Sequence, residues 1–351
     1  MYGKIWLCSR WPWKCRKHWV YWDASGGMEC VIMDARRFQR LLCEVAKLSP
    51  QQRTALGRVL RGVDEGSEAI AIAESRRSAD APCPHCAHEH VQPWGQSNGL
   101  QRWRCKSCRK TFNALTGTPL AGLRKRELWL EHGRALTDGV SLRKVAERCD
   151  ISLSTAFRWR HRHLEAPRDV QAAVLAGIVE ADETYFLKSA KGSRKLIGRA
   201  ARTRGGTAST RGLSQELLPV LIARDRHGAT VAAPLADRSQ SALAYHLEPV
   251  LTRDALLVSD GAKAYGALAR RLGLGHIGLN ISAGEHMRDG VYHVQNVNSW
   301  ASGLKSWMRR FKGVATKNMS TYLGWRRLIE AHGAALSERT FVAAAVGQSL
   351  P

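Results

Sequence analysis

The chain has 351 residues, and its 54 Lys and Arg against 30 Asp and Glu give a formal net charge of +24. Apolar residues make up 44% of it, which is enough to build cores and excludes a wholly disordered protein. No window approaches the roughly 18 consecutive apolar residues of a membrane span, and basic residues interrupt the N-terminus where a signal peptide is apolar. These features predict a cytoplasmic protein that binds nucleic acid, the alternative being a basic surface without a partner.

The N-terminal part of the chain divides into two stretches. Residues 1–32 hold five of the twelve tryptophans without a helical or strand period, so we predict no fold there, and Met28 and Met33 are alternative start positions. Residues 33–80 are predicted to form a small helical pair followed by a polar linker, because apolar residues recur at helical spacing on both sides of Pro50.

Residues 81–120 contain four cysteines with the spacing of a zinc ribbon. Two C-x2-C pairs are separated by eighteen residues, and they consist of Cys83, Cys86, Cys105 and Cys108. Four thiolates complete the tetrahedral coordination of Zn²⁺ and leave no open position, so the zinc is predicted to be structural. The alternatives are a disulfide-bonded pair or reduced, buried cysteines.

Residues 121–168 are predicted to form a helix-turn-helix. Ser141 is placed to cap a first helix, and Ser152 or Ser154 a second one. On the second helix we expect Ala156, Phe157 and Trp159 to face inward. The outward residues are expected to bind DNA, and they are Thr155, Arg158, Arg160 and Arg162. An ordinary helical hairpin is the alternative.

Residues 169–330 are predicted to form a larger α/β domain. The apolar run 174–179 suggests a buried strand, and Asp182 near its end shares a face with Glu180 and Thr184 because side chains alternate along a strand. Further strands are predicted at 219–224, 229–233, 255–258 and 276–281, with helices at 241–251 and 294–311. Asp260 follows the fourth strand. This order of strands and helices is that of the ribonuclease-H-like fold, with two acids on neighbouring strands.

Two more features belong to this domain. Asn298 and Lys305 are seven residues apart on the last predicted helix, so they share a face. The loop 188–214 has eight basic residues and no acid between Lys188 and Arg211, which suits contact with a phosphate backbone. The DNA contacts proposed there are Lys191, Arg194 and Lys195. A solvated insertion is the alternative for this loop.

After this domain, residues 331–351 are predicted to be a C-terminal tail.

The sequence resembles the DDE-type transposases of bacterial insertion sequences, in the group that carries an N-terminal zinc ribbon. The resemblance covers roughly residues 35 to 330. The motifs that carry it are the segment 180–186, Ser259-Asp260-Gly261, the segment 293–298 with Lys305, and the segments 310–314 and 322–326.

The resemblance implies a catalytic site. Asp182 and Asp260 correspond to the first two catalytic acids, which hold two Mg²⁺ or Mn²⁺ ions, and Asn298 stands where a third acid is usual. Lys305 is expected to hold a DNA phosphate near the metals, and His293 to assist. Glu285 is an alternative third acid.

The function implied is that of an enzyme that binds the terminal inverted repeats of an insertion sequence. Metal-dependent cleavage would be followed by strand transfer into target DNA by a homodimer or larger assembly, at the bacterial nucleoid. One alternative is a catalytically inactive transposase remnant that still binds DNA. The other is a DNA-binding regulator that uses the zinc ribbon and helix-turn-helix without catalysis.

Overall fold

The computed structural model describes residues 34–78, 80–193, 195–196, 206–210, 212 and 214–348. The chain divides into two compact units, Met1–Arg61 and Gly62–Pro351. Within the described ranges, no helix combines the length and the apolar character needed to cross a bilayer. The stretch 1–32, for which we predicted no fold, lies outside the described residues.

The first described part of the chain forms two helices, and the second of them continues past Arg61 into the second unit. Helix α1 (Ala35–Ala46) begins after Asp34, whose carboxylate accepts a hydrogen bond from the backbone N–H of Arg37 at 2.9 Å. Helix α2 (Pro50–Ser75) begins at the proline that the sequence marked as a break, and a proline is favourable at the first helical position. Two helices were predicted here and two are found, although α2 continues through most of the predicted linker.

Residues 91–112 form a small antiparallel sheet. Its strands are β1 (Val91–Ser97), β2 (Leu100–Cys105) and β3 (Thr111–Phe112). Val91 lies opposite Cys105, and Trp103 lies opposite Phe112. The sheet therefore places Cys105, at the end of β2, next to the start of β1.

A helical region follows, consisting of α3 (Trp129–Thr137), α4 (Leu142–Arg148), α5 (Leu153–His163) and α6 (Glu165–Asp169). Ser141 caps α4 and Ser152 caps α5, and each accepts a hydrogen bond from a backbone N–H of the first turn, as predicted. Short 3-10 helices in the chain are Arg126–Leu128, Ile281–Ala283, Thr316–Asn318 and Gly333–Ala335.

Two expectations for α5 are wrong. Arg160, predicted to face outward, is 1% exposed, whereas Phe157, predicted to face inward, is 45% exposed. The buried face of α5 carries Ala156, Trp159 and Arg160, and Arg160 is covered by Trp325 of the later helix α10 (Met319–His332). Ala156 and Trp159 are buried as expected.

The larger domain is built on a mixed five-stranded sheet. Its strands are β4 (Ile178–Leu187), β5 (Leu217–Asp225), β6 (Thr230–Pro234), β7 (Leu256–Ser259) and β8 (Gly275–Gly278). They lie in the order β6-β5-β4-β7-β8; β5 is antiparallel to β4 and β6, while β4, β7 and β8 are parallel. Strand β4 starts later than the predicted strand 174–179 and pairs with β5 as far as Leu187, so Asp182 lies in its middle.

Helices cover both faces of the sheet. One face packs against α7 (Gln240–Leu247) and α8 (Lys263–Leu272), and the other against α9 (Gln295–Arg309) and α10. Strand β5 is buried on both sides: Val220 and Ile222 face α9, whereas Leu221 and Ala223 face α7 and α8.

The predicted C-terminal tail contains a buried helix instead. Helix α11 (Glu338–Ala345) carries Phe341 and Val342, which are both fully buried. Val342 packs in the same cluster as Trp129 of α3 and Leu100 of β2. The end of the described chain thus helps to hold the ribbon sheet against the helical region.

Candidate functional site

The alternation of β4 separates its acidic residues between the two faces of the sheet. Val179 and Ala181 belong to the core beneath α7 and α8, so Glu180, Asp182 and Thr184 face α9. The sequence predicted this shared face. Glu183 points the other way, where its carboxylate accepts a hydrogen bond from the hydroxyl of Tyr265 on α8 at 2.7 Å.

Asp260 lies beside Asp182 because their strands run parallel. Glu180 is paired with Val258. Asp182 lies two residues after Glu180, and Asp260 lies two residues after Val258, so the two aspartates are neighbours. Gly261 follows with a φ of +81°, and a Cβ there would lie 3.1 Å from the carbonyl oxygen of Leu279, so the tight turn favours glycine. The Asp260 side chain is exposed at this turn, and its Oδ1 accepts a hydrogen bond from the N–H of Ala262 at 3.1 Å.

The two aspartates interact electrostatically. Burial and, after it, the negative charge of Asp260 raise the pKa of Asp182 to about 6, while the positive charge of Lys305 opposes the shift. Two carboxylates that repel each other at a partly buried site gain from an oxygen-binding divalent cation. The donor set therefore fits Mg²⁺ or Mn²⁺.

Helix α9 completes a cleft above Asp182. The cleft has a volume of about 310 Å³, and Asp182, Asn298 and Lys305 all line it. Its further polar and charged lining residues include Thr184, Ser302, Ser306 and Arg309. The structure thus brings together three of the four predicted catalytic residues at one cleft, with Asp260 next to it.

Sequence reasoning did not identify the role of Glu180. This carboxylate is 0% exposed and accepts hydrogen bonds from Asn296 and from the backbone N–H of Val297, both at the start of α9. Its Oε1 also lies 3.0 Å from Arg226 and 3.3 Å from Nδ1 of His293. His293, which we expected to assist near the aspartates, therefore contacts Glu180. The first Glu of the motif 180–186 was the available signal.

Glu285, the alternative third acid, makes local contacts. Arg288 donates to its two oxygens at 2.7 and 2.9 Å, and the backbone N–H of Asn280 donates to it at 2.9 Å. These contacts lower the pKa of Glu285 to about 2, chiefly through Arg288. Glu285 is not among the residues that line the cleft.

The four predicted cysteine ligands converge. Their sulfur atoms all lie within 4.8 Å of one another, with 3.7 Å between Cys83 and Cys108 and 3.6 Å between Cys86 and Cys105. A tetrahedral site with metal–sulfur bonds of about 2.3 Å has sulfur atoms roughly 3.8 Å apart, so the cluster could hold one metal ion. These separations are far longer than the roughly 2.05 Å of a disulfide bond.

The predicted DNA-binding arginines of α5 have different environments. Arg158 is exposed, whereas the guanidinium of Arg162 donates to the carbonyl oxygen of Pro119 at 2.8 Å. Arg160 donates to the carbonyl oxygen of Val140 at 2.6 Å and is buried. Of the three, Arg158 is exposed, Arg162 is half-buried and Arg160 is buried.

The basic loop begins with an anchored lysine. Lys191 Nζ donates to the carbonyl oxygen of Gly313 at 2.6 Å and to those of Phe311 and Lys312 at 3.3 Å, just after α9. The carbonyl oxygen of Lys195 accepts a hydrogen bond from the hydroxyl of Ser193 at 2.7 Å. Arg194, the third predicted contact, lies outside the described residues.

Two segments of the second unit match known protein families. Residues 174–326 match the ISXO2-like transposase domain family, and residues 123–168 match a homeodomain-like domain of the helix-turn-helix class. A protein of transposable element ISH50 from Halobacterium salinarum is 29% identical over 269 residues, which are 74% of this chain and 89% of that protein.

Two solved structures share weaker similarity. A simian T-cell lymphotropic virus intasome in complex with a PP2A regulatory subunit has a TM-score of 0.27 and 11% identity, over 56% of this chain and 67% of that chain. A pre-cleavage Mos1 transpososome has a TM-score of 0.16 and 14% identity, over 62% of this chain and 79% of that chain. Scores this low do not define a fold.

Proposed function

We propose that the chain is an insertion-sequence transposase that cleaves DNA at the ends of its element and joins them to target DNA, and the matches of residues 174–326 and 123–168 support this. The observation that carries the proposal is the arrangement of Asp182, Asn298 and Lys305 around one cleft with Asp260 beside it. A regulator that only binds DNA does not need paired carboxylates beside a lysine.

We propose further that the larger domain has the ribonuclease-H-like fold. The mixed sheet supports this, because three antiparallel strands are followed by two parallel ones in the order β6-β5-β4-β7-β8. The central strand β4 carries Asp182, its parallel neighbour β7 leads into Asp260, and helix α9, which follows β8 in the chain, carries Asn298. The order of strands and helices along the chain is the one predicted from the sequence.

The cleft residues have distinct chemical roles in this proposal. Asp182 and Asp260 would hold Mg²⁺ or Mn²⁺, which supplies activation of the attacking oxygen and stabilisation of the leaving oxygen. Lys305 would bind a nonbridging phosphate oxygen and hold the DNA strand against the carboxylates. Asn298 offers one neutral carbonyl oxygen and an amide donor, so it orients oxygen atoms without adding negative charge.

The reaction has two steps. Water attacks the phosphodiester at the element end and releases a 3′-hydroxyl, and this hydroxyl then attacks a phosphodiester of the target DNA in line, which breaks the bond to the target's 3′-oxygen and releases a target 3′-hydroxyl. Asp182 must be ionised to bind a metal ion, and its pKa of about 6 leaves it mostly ionised at neutral pH. The same cleft would act in both steps.

The parts that precede the catalytic domain would bind the element ends. The homeodomain-like match and the exposed Arg158 on α5 support DNA as the partner of the helix-turn-helix. We propose that Cys83, Cys86, Cys105 and Cys108 hold one structural Zn²⁺. In the basic loop, the proposed DNA contacts are Lys191, Arg194 and Lys195. We propose that two or more chains assemble to pair the element ends, and that they do so at the nucleoid.

The test is a nicking assay with purified protein and a duplex that carries the terminal inverted repeat of the element. We expect nicking with Mg²⁺ or Mn²⁺ and none with EDTA. Asp182→Asn and Asp260→Asn should each lower the rate by at least about 10³-fold while the affinity for the duplex stays within about threefold. Binding without nicking by the wild type would instead support an inactive remnant or a regulator.

A further inference from the structure

The start of α9 is held by a buried carboxylate from the central strand. Oε2 of Glu180 accepts the backbone N–H of Asn296 at 2.8 Å and that of Val297 at 3.2 Å. Oε1 accepts the side-chain amide of Asn296 at 2.7 Å. The residue at the N-cap position of α9 is Val294, which has no side-chain acceptor, so Glu180 replaces the missing cap from a distance of more than 110 residues in sequence.

The charge of Glu180 is balanced where it lies. A fully buried carboxylate is costly unless it is paired and hydrogen-bonded, and Arg226 lies 3.0 Å from it. The N-terminal end of α9 adds the positive end of a helix dipole. Arg226 is itself fixed, because it donates to the carbonyl oxygen of Val291 at 2.7 Å and lies 3.0 Å from Nε2 of His293.

The contacts of Glu180 argue against a role as a metal ligand. Both of its oxygens already accept hydrogen bonds from α9, and Oε1 also faces Arg226 and His293. A cation placed there would meet the positive guanidinium at close range. Glu180 is therefore suited to hold a neighbouring element.

The element that it holds carries the cleft residues. Asp182 lies two residues after Glu180 on the same face of β4, and Asn298 lies one residue after Val297 on α9. We propose that Glu180 is a positioning residue that sets Asn298, and through the helix Lys305, against Asp182. This inference rests on the proposed function. It divides the motif 293–298 into an anchoring part, His293 and Asn296, and a cleft part, Asn298.

Glu180→Gln tests the proposal, because it keeps the size of the side chain and removes its charge and one acceptor. We expect kcat for nicking to fall about 10²-fold, since small displacements of catalytic groups cost that much, while KM for the end duplex stays within about twofold. In protein without DNA, the Kd for Mn²⁺ should rise about tenfold, and the backbone amides of Asn296 and Val297 should exchange hydrogen faster.

A double-mutant cycle separates positioning from general stabilisation. If Glu180 acts through Asn298, then Glu180→Gln should change the Kd for Mn²⁺ by less than about twofold in an Asn298→Ala background. An equal effect in both backgrounds, or a wild-type kcat and Kd in the single variant, would overturn the proposal. The cycle uses Mn²⁺ binding, so it remains measurable if nicking is lost.

Glu330→Gln is the matched control. Glu330 accepts hydrogen bonds from Trp300, which lies on the same helix α9, and from Arg224, but it does not line the cleft. The control should lower the melting temperature while the Kd for Mn²⁺ stays within about twofold. An equal rise of that Kd in the control would show that any loosening of α9 suffices, and the specific role of Glu180 would be rejected.

A further variant keeps the test valid if Glu180→Gln does not fold. Asn296→Ala removes one donor and leaves the carboxylate with its two backbone donors. We therefore expect kcat for nicking to fall, and the Kd for Mn²⁺ to rise, by about threefold each. The absence of these changes would overturn the proposal. The proposed function fails separately: it is rejected if wild-type protein does not nick with metal, whereas only the positioning role is rejected if Asp182→Asn abolishes nicking and the Glu180 and Asn296 variants behave as wild type.

Discussion

The guanidinium of Arg160 lies 5.2 Å from the ring centroid of Trp325, and it also faces Phe311 at 5.6 Å. This contact joins α5 of the helix-turn-helix to α10 of the larger domain. It also gives two arginines on one helix opposite environments, because Arg158, two positions earlier, is exposed. Position along the helix, and not residue type, therefore decides which of them can contact DNA.

The two arginines should respond differently to substitution. Arg158→Ala should weaken binding to the end duplex and lower the slope of log K against log salt concentration by about 1, since one phosphate contact is lost. Its free energy of unfolding should stay within about 0.5 kcal/mol of the wild type. Duplex titrations at several salt concentrations, with urea unfolding of both proteins, make the measurement.

Arg160→Ala is expected to show the reverse. Loss of the stacked side chain leaves a cavity and an unpaired carbonyl at Val140, so the free energy of unfolding should fall by about 2–4 kcal/mol. The salt slope should equal that of the wild type at temperatures where the variant is folded. A reduced slope with unchanged stability would show that Arg160 reaches DNA after all.

The difference between these arginines also shows what the sequence could predict. The number of strands in the larger domain, the face that Glu180 and Asp182 share, and the four cysteines follow from local periodicity and spacing and were predicted, although β4 (Ile178–Leu187) begins later than the predicted strand 174–179. Arg160 was misplaced because α5 has polar residues on all sides, and the rings that bury it lie more than 150 residues later in the chain. The same holds for the predicted tail: the burial of α11 depends on α3 and β2, which are remote in sequence.

The anchoring role of Glu180 could not be predicted for a related reason. Strand alternation places its carboxylate on the α9 side, but nothing local indicates that the helix begins there without its own cap. The absence of a Ser, Thr, Asp or Asn at Val294 and the first Glu of the motif 180–186 are the traces that the sequence carries. Capping from a distant strand appears only when both elements are positioned in three dimensions.

Removal of one cysteine should release the metal from the ribbon. Cys86→Ser should reduce bound zinc from one equivalent to less than about 0.2, because three thiolates and a poor ligand hold Zn²⁺ much less tightly. Arg77 stacks on Trp103 and Phe112 of the ribbon sheet at 5.1 and 4.9 Å, so loss of the sheet should also lower the melting temperature.

Atomic absorption of the purified protein measures the zinc. Cys43→Ser is the matched control, since Cys43 is an exposed cysteine on α1 and should retain one equivalent. Full zinc occupancy in Cys86→Ser, or none in the wild type, would contradict the assignment of the ribbon.

Asn298→Asp should strengthen metal binding at the cleft. A third carboxylate beside Asp182 and Asp260 adds a charged oxygen ligand, so the Kd for Mn²⁺ should fall at least about threefold, whereas Asn298→Ala should raise it. Ser299→Asp is the control, because it adds the same charge to an exposed neighbour that does not line the cleft. Equal effects of the two aspartates would mean that overall charge, not a ligand at position 298, changes the affinity.

Two buried histidines should make the helical region sensitive to acid. His132 on α3 and His163 on α5 are both 0% exposed, with ring centroids 4.4 Å apart. Burial lowers the pKa of His163 to about 4, and burial, together with the charges of His163 and Arg160, holds the pKa of His132 well below 6.5. Because the folded-state pKa lies below the unfolded value, the stability contribution is fully present above pH 6.5 and is lost as the pH falls from there towards 4.

The expected loss is measurable at moderate acidity. For His163 alone, a folded pKa of about 4 against 6.5 in the unfolded chain removes about 2 kcal/mol between pH 7.5 and pH 5. His163→Gln, which cannot be protonated, should therefore lose less stability over this range than the wild type, as measured by urea unfolding at both pH values. The comparison cancels the acid-induced release of zinc, which is common to both proteins. His286→Gln, at an exposed position, should behave as wild type; equal pH dependence in wild type and His163→Gln would show that His163 does not titrate in this range.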